Sequence, residues 1–174
     1  MMGAPAEPTS KSSFPAIADG RTRLLILGSL PGEISLARAQ YYAHPRNQFW
    51  RLMETVIGLP LVDVAYADRL NTLLAAGVGM WDVIASAERI GSLDTKIRNH
   101  EANALAEFAA TLPSLRAIAF NGGKASSIGR KQLGPAPCYA LVTLPSSSPA
   151  HAAVPIDRKR AEWQVLKSFL HGET

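Results

Sequence analysis

The sequence predicts an α/β fold, a three-layer α/β/α arrangement around a four-stranded, mostly parallel sheet. Two observations predict it. Four short apolar runs show little polar alternation, as expected of parallel strands covered on both faces. Helix-spaced apolar residues fill the intervals between them. The first strand is Arg23–Leu27, and it runs into the Gly/Ser/Pro turn that begins at Gly28. Asn47–Ile57 follows Pro45 and stops at Gly58, which reads as a helix. A second helix, Ala65–Ala76, carries Leu70, Leu73 and Leu74 and ends at Gly77. The second strand is Gly79–Ile84. Glu101–Leu112 reads as a helix ended by Pro113, with Leu105, Phe108 and Leu112 on one stripe. The third strand, Arg116–Phe120, leads into a helix over Gly123–Leu133. The fourth strand is Tyr139–Thr143. A last helix, Asp157–Leu170, has Asp157 as its expected N-cap and Trp163, Leu166, Phe169 and Leu170 as its core stripe.

With 174 residues the chain is long enough for one domain with a real core. Residues 1–20 read as a flexible Ala/Pro/Ser-rich tail and 21–174 as a single domain. The tail has no continuous apolar segment, so cytoplasmic residence is the expectation, with no membrane partner. The single cysteine, Cys138, excludes an internal disulfide and reads as a small buried hydrophobe in a strand. His44, His100, His151 and His171 lack metal-ligand spacing, and neither metal nor cofactor is expected. A net charge of +4 and a pI near 9.5 suit a polyanionic partner. The basic residues form short clusters, Arg21/Arg23, Arg46/Arg51, Lys124/Arg130/Lys131 and Arg158-Lys159-Arg160, and three of these follow proposed ligand-side loops, as a surface that follows phosphates would. A monomer is expected.

Parallel strands bring their C-terminal loops to one rim, where open α/β folds bind ligands. Those loops are Ser29–Arg46, Ala85–His100, Asn121–Lys124 and Leu144–Pro155, and they hold every polar cluster of interest. Gly28, Ser29, Leu30, Pro31 and Gly32 form a tight turn whose amides suit an oxyanion. It has no Walker lysine and no dinucleotide fingerprint. Tyr42 and His44 precede Pro45, and Tyr42 is the candidate for stacking on a planar ligand. Asn47 is either a helix cap or a site residue. Asp82 and Asn121 end adjacent strands, where a carboxylate and a carboxamide can read a planar polar edge. Asn121 before Gly122-Gly123 is also an ordinary turn pair. Ser146, Ser147 and Ser148, held between Pro145 and Pro149, make a stiff loop suited to phosphate, with His151 close behind. No nucleophile elbow is present, which argues against a serine hydrolase.

Together these motifs resemble the uracil-DNA glycosylase superfamily, from Arg23 to about Leu170. The stretch G-S-L-P-G followed by Y-Y-A-H-P-R-N-Q-F-W is similar to the first motif of the mismatch-specific branch. L-P-S-S-S-P-A is similar to the superfamily's second motif, a loop that compresses the DNA backbone. Leu30 stands where the mismatch-specific branch carries its water-activating asparagine. Leu144 stands where the second motif usually begins with His or Asn. The combination instead resembles the hypoxanthine-DNA glycosylase branch, whose important asparagines correspond to Asn47 and Asn121.

The resemblance implies a glycosylase that acts on DNA containing a deaminated base, hypoxanthine before uracil. It would flip the base out and leave an intact abasic site without a cofactor. Asn121 is expected to read the base edge through both halves of its carboxamide, and Asp82 to accept from N1–H. Tyr42 would stack on the base and Asn47 would orient water. The amides near Ser29 and Gly32 would stabilise the leaving purine. The three serines would grip phosphates, with His151 or Pro149 as a small wedge. The alternatives are a uracil/mismatch-specific enzyme, a damaged-DNA binder without catalysis, and a small-molecule hydrolase on the same scaffold.

Overall fold

A computed structural model describes residues 9–89, 92–94, 97–135 and 137–171. Its centre is a parallel sheet of β2 (Leu24–Gly28), β3 (Val78–Asp82), β6 (Ala117–Asn121) and β7 (Ala140–Leu144), in the order β3-β2-β6-β7. Every pairing in it is parallel, so the four C-terminal strand ends share one edge. The chain leaves β2 toward β3 on one side and leaves β6 toward β7 on the other. The strand order therefore reverses between β2 and β6, the position where sheets of this kind open a crevice.

Side chains alternate across the sheet with period two. Leu24, Ile26, Val78, Met80, Ala117 and Ala119 face one core, built with Phe49, Leu52, Met53 and Trp163. Leu25, Leu27, Ile118 and Phe120 face the other, built with Ile84, Leu105 and Ala109. Both faces are dry along β2, β3 and β6, which is why those sequences show continuous apolar runs, whereas the edge strand β7 leaves Ala140 and Thr143 exposed. The first core is closed by α2 (Phe49–Ile57), α3 (Tyr66–Ala75) and α6 (Ile156–Trp163). The second is closed by α4 (Leu105–Ala110) and α5 (Gly123–Leu133). A short α1 (Glu33–Arg38) interrupts the expected Ser29–Arg46 loop.

Several expectations are corrected. Within the expected tail, β1 (Thr9–Ser12) pairs antiparallel with β4 (Ile84–Arg89), and Ile17 bridges Met80. Backbone pairing with a sheet edge orders this polar segment; residues 1–8 lie outside the described ones. The expected loop Ala85–His100 largely forms β4 and β5 (Arg98–Ala102), giving a second sheet in the order β1-β4-β5. Glu101 and Ala102 therefore end a strand rather than start a helix. Cys138 is exposed, because it lies in a bend before the edge strand β7. Asp157 does not cap the last helix. Pro155 holds that position, and Asp157 pairs with Arg160 at 2.9 Å in the first turn. The predicted last helix is divided by a 3-10 turn at Gln164–Leu166 before α7 (Lys167–Leu170), while Trp163 and Leu166 are core as expected.

Candidate active site

Three residues change the character of the first core at the rim. The face that runs Leu24–Ile26 in β2, Val78–Met80 in β3 and Ala117–Ala119 in β6 continues two residues on as Gly28, Asp82 and Asn121. The apolar floor thus ends in a carboxylate and a carboxamide, with a gap between them where Gly28 lacks a side chain. Above this layer lies a cavity of about 360 Å³. That volume falls at the lower end of the roughly 300–1,000 Å³ typical of small-ligand pockets.

All four strand-end segments contribute to it. Gly28, Ser29, Leu30, Pro31 and Gly32 form one wall. Tyr42, His44 and Asn47 come from the turn between α1 and α2, and Asp82 and Asn121 form the base. Ser146, Ser147, Ser148 and His151 close the side beyond β7. The structure therefore brings together residues more than a hundred positions apart in the chain.

Ser147 ties two of those elements together. Its hydroxyl donates to Asn47 Oδ1 at 2.8 Å and accepts from Asn121 Nδ2 at 2.9 Å. Its amide donates to Asn121 Oδ1 at 2.9 Å. Asn47 Oδ1 also accepts from the Phe49 amide at 3.0 Å; the N-cap of α2 is Gln48 rather than Asn47, which bonds the first helical amide from one residue ahead of it and lines the cavity at once. The segment is further fixed by Gln48, whose amide donates to the Ser147 carbonyl at 3.0 Å. Trp163 Nε1 donates to the Pro145 carbonyl at 2.9 Å. Gly122 makes the close approach possible. Its φ of +103° is a glycine conformation, and a Cβ there would lie 3.2 Å from Ser146 Cβ.

Two assigned roles change as a result. Ser147 is only 1% exposed and its hydroxyl is held between two carboxamides, so it braces the loop rather than gripping phosphate. Asn121 spends one bond from each half of its carboxamide on Ser147, which narrows what it can offer a base edge to the second Nδ2 hydrogen and the second Oδ1 lone pair.

Tyr42 stands opposite, stacked on Phe49 with ring centroids 3.9 Å apart. Its backbone has φ of +53°, a left-handed conformation that costs a non-glycine residue roughly 1–2 kcal/mol. Trp50 Nε1 holds the strained turn by donating to the Tyr42 carbonyl at 3.2 Å. The Tyr42 hydroxyl is buried and has no hydrogen-bond partner. Burial and the Asp82 carboxylate push its phenol above the ordinary value, with Asn121 pulling the other way. His44 Nδ1 accepts from the Arg46 amide at 3.0 Å, so Nε2 carries the hydrogen in the neutral ring.

Asp82 is the most perturbed acid of the site. It is 4% exposed, and its Oδ2 has no partner. Burial, and then the charge of Asp94, push its carboxyl from 3.8 up to about 7, against a smaller opposing pull from Arg89.

One wall escaped sequence reasoning at the level of residues. Ser92, Leu93 and Asp94, between β4 and β5, line the cavity and hold the first motif in place. Asp94 Oδ1 accepts from Ser29 Oγ at 2.6 Å, and Ser92 Oγ accepts from the Glu33 amide at 2.8 Å at the start of α1. Arg89, 1% exposed, donates from its guanidinium to the Pro31 carbonyl and pairs with Asp94 at 3.8 Å. The expectation that the whole 85–100 segment reaches the rim was the only sequence signal for them.

The profile of the uracil DNA glycosylase superfamily matches residues 14–169. The chain belongs to this superfamily. A hypoxanthine DNA glycosylase from Methanosarcina acetivorans is 41% identical over 156 residues, covering 90% of this chain and 97% of that protein. Another from Methanosarcina barkeri is 43% identical over 114 residues, covering 66% of this chain and 72% of that one. Among solved structures, the solution structure of a candidate uracil DNA glycosylase from M. acetivorans has a TM-score of 0.81 and 38% identity. It is matched over 94% of this chain and all of that one. The superfamily fold expected from the motifs is thus the fold observed. Among the described residues, no helix is long and apolar enough to cross a membrane.

Proposed function

We propose that this superfamily member is a monofunctional DNA glycosylase that hydrolyses the N-glycosidic bond of a deaminated base, hypoxanthine first, after the nucleotide has left the duplex. The Asn47–Ser147–Asn121 bridge at the base of a 360 Å³ cavity carries the reading. It joins two carboxamides, one of them at a strand end, on the lining of one cavity, and that pairing supports a pocket for an everted purine. The names borne by the two Methanosarcina relatives support the same substrate class.

The chemistry follows from the groups available. A base stacked in duplex DNA hides its C1′, so extrusion at a cost of a few kcal/mol precedes cleavage. Tyr42, backed by Phe49, offers its remaining face to the everted ring. As the C1′–N9 bond lengthens, the sugar becomes oxocarbenium-like and negative charge moves onto the purine. Asn47 has its Oδ1 committed to Phe49 and Ser147, so its Nδ2 is the half that positions water or substrate. A carboxamide removes no proton at neutral pH. Positioning against a strongly electrophilic sugar then supplies the rate from this side. Half-exposed Ser146 and Ser148, with His151, face the backbone of the bound strand.

Purified protein incubated with labelled duplexes carrying hypoxanthine, uracil or xanthine, then treated with alkali, tests the proposal. Strand cleavage strongest with hypoxanthine is expected, and Asn47→Ala should reduce it at least tenfold. No cleavage with any lesion would reject the enzyme. DNA binding without base release is the second reading, favoured by Leu30 at the water-activating position of the mismatch-specific branch. Salt-sensitive binding with no abasic product would establish it.

A further inference from the structure

Among the described residues Asp82 is the one carboxyl that forms part of the cavity floor at a parallel strand end, and its chemistry is not used by the two-asparagine arrangement. In register opposite Gly28, it points its carboxyl into the space that a side chain there would fill. A Cβ on Gly28 would lie 2.7 Å from Asp82 Oδ1 and 3.0 Å from the Tyr42 hydroxyl. Two polar groups therefore converge on one bare backbone position, and Asp82 Oδ2 and the Tyr42 hydroxyl are both buried without a hydrogen-bond partner. Unsatisfied buried polar atoms are uncommon and costly, and a catalytic role is one of the reasons a fold keeps them.

The charged and titratable neighbours come from every side. Arg89 on β4 favours the carboxylate, but its guanidinium is engaged by the Pro31 carbonyl and Asp94. Asp94, beyond β4, disfavours it. The Tyr41 and Tyr42 phenols, in the turn after α1, are themselves shifted upward by burial and by Asp82, so both are neutral. Asn121 on β6 has its carboxamide oxygen turned to the Ser147 amide. None of these pairs with the buried oxygen, so the carboxyl keeps its proton up to about pH 7 and below that has a hydrogen to give.

We propose, resting on the glycosylase reading, that Asp82 is the general acid of the reaction, donating its proton to the imidazole-ring nitrogen N7 of the everted purine as the base departs. The step balances. The C1′–N9 electron pair leaves with the purine, and the Asp82 O–H bond breaks as the N7–H bond forms. Asp82 becomes a carboxylate, and hypoxanthine departs as a neutral molecule. Water then forms the new C1′–O bond, and the proton it loses returns to the carboxylate directly or through solvent. The product is a neutral base and an abasic sugar.

Single-turnover base release between pH 5 and pH 9 tests this, on a duplex with deoxyinosine and on one with 7-methyl-2′-deoxyinosine, whose base already carries the charge that protonation would supply. The wild-type rate on deoxyinosine should fall tenfold per pH unit above about 7, where the acid ionises. Asp82→Asn keeps the shape and a hydrogen-bond donor but no transferable proton. It should lose 10²- to 10⁴-fold on deoxyinosine, the usual range for general acid catalysis. It should also lose the pH dependence, and stay within about tenfold of wild type on the methylated base. Three results would overturn the proposal: an Asp82→Asn rate within threefold of wild type on deoxyinosine, equal losses on both substrates, or a wild-type rate that rises through pH 7. The wild-type profile needs no variant, so a folding defect in Asp82→Asn cannot mask the answer. Absence of base release by the wild type from every lesion is a different result, since it removes the glycosylase reading itself.

Discussion

The same carboxyl that suits the site should weaken the fold, and the size of the effect can be worked out. Asp82 moves from 3.8 to about 7 on folding because burial disfavours its charge. At 1.36 kcal/mol per pH unit, a rise of about 3 units corresponds to about 4 kcal/mol. The sign follows from which state holds the proton. Below about pH 4 both folded and unfolded chains are protonated at this residue, and its contribution to stability is fully present. Between pH 4 and pH 7 the unfolded chain ionises while the folded one resists, so stability falls as pH rises. Above pH 7 the loss is complete. Asp82→Asn removes this one titration and leaves every other group in place, so the mutant-minus-wild-type difference isolates it. Urea unfolding at pH 4, 6 and 8 is the assay, with equal slopes required of the two proteins. The variant should gain on wild type by about 4 kcal/mol between pH 4 and pH 8. A difference constant to about 0.5 kcal/mol, or one that shrinks with pH, would refute the claim that Asp82 is buried without a compensating partner. A gain in stability bought at the expense of catalysis is the usual signature of a residue kept for function.

Three further outcomes are expected. Ser147→Ala deletes the hydroxyl bridge and leaves Asn121 Nδ2 buried without its partner, which should cost about 2–3 kcal/mol in urea unfolding and lower kcat at least tenfold. Gly28→Ala drives a methyl against the Asp82 carboxyl and the Tyr42 hydroxyl. It should abolish base release while circular dichroism shows the fold retained. A second cavity of about 420 Å³ adjoins the first through Tyr41, Tyr42, His44 and Asn47 and is lined by Arg38, Arg51 and Arg69. If it follows the DNA backbone, Arg38→Ala and Arg51→Ala should each weaken duplex binding and reduce the salt slope of log K by about one, with single-turnover rates at saturation unchanged.

Strand positions and the rim were legible because they depend on one-dimensional patterns. Leu24–Leu27, Val78–Met80 and Ala117–Phe120 carry the imprint of strands covered on both faces, apolar runs without alternation, which marks where each strand ends but not which side Gly28, Asp82 and Asn121 occupy. Parallel pairing then brings their ends together whatever lies between them. The elements missed have no such imprint. Thr9–Ser12 and Arg98–Ala102 are polar, and their order comes from backbone bonds to a sheet edge, which any sequence can supply. Wiring within the site was illegible for a related reason. Ser146, Ser147 and Ser148 are chemically identical in sequence, yet the turn buries only the middle hydroxyl. That burial takes one donor and one lone pair of the Asn121 carboxamide and one lone pair of Asn47 Oδ1. A pattern can place a polar side chain at a rim, but hydrogen-bond capacity is divided among neighbours in three dimensions. At the cavity that division leaves Asp82 Oδ2 and the Tyr42 hydroxyl unsatisfied, and of the two only the carboxyl can release a proton near neutral pH, so it, rather than either asparagine, is where a proton for the leaving purine should be sought.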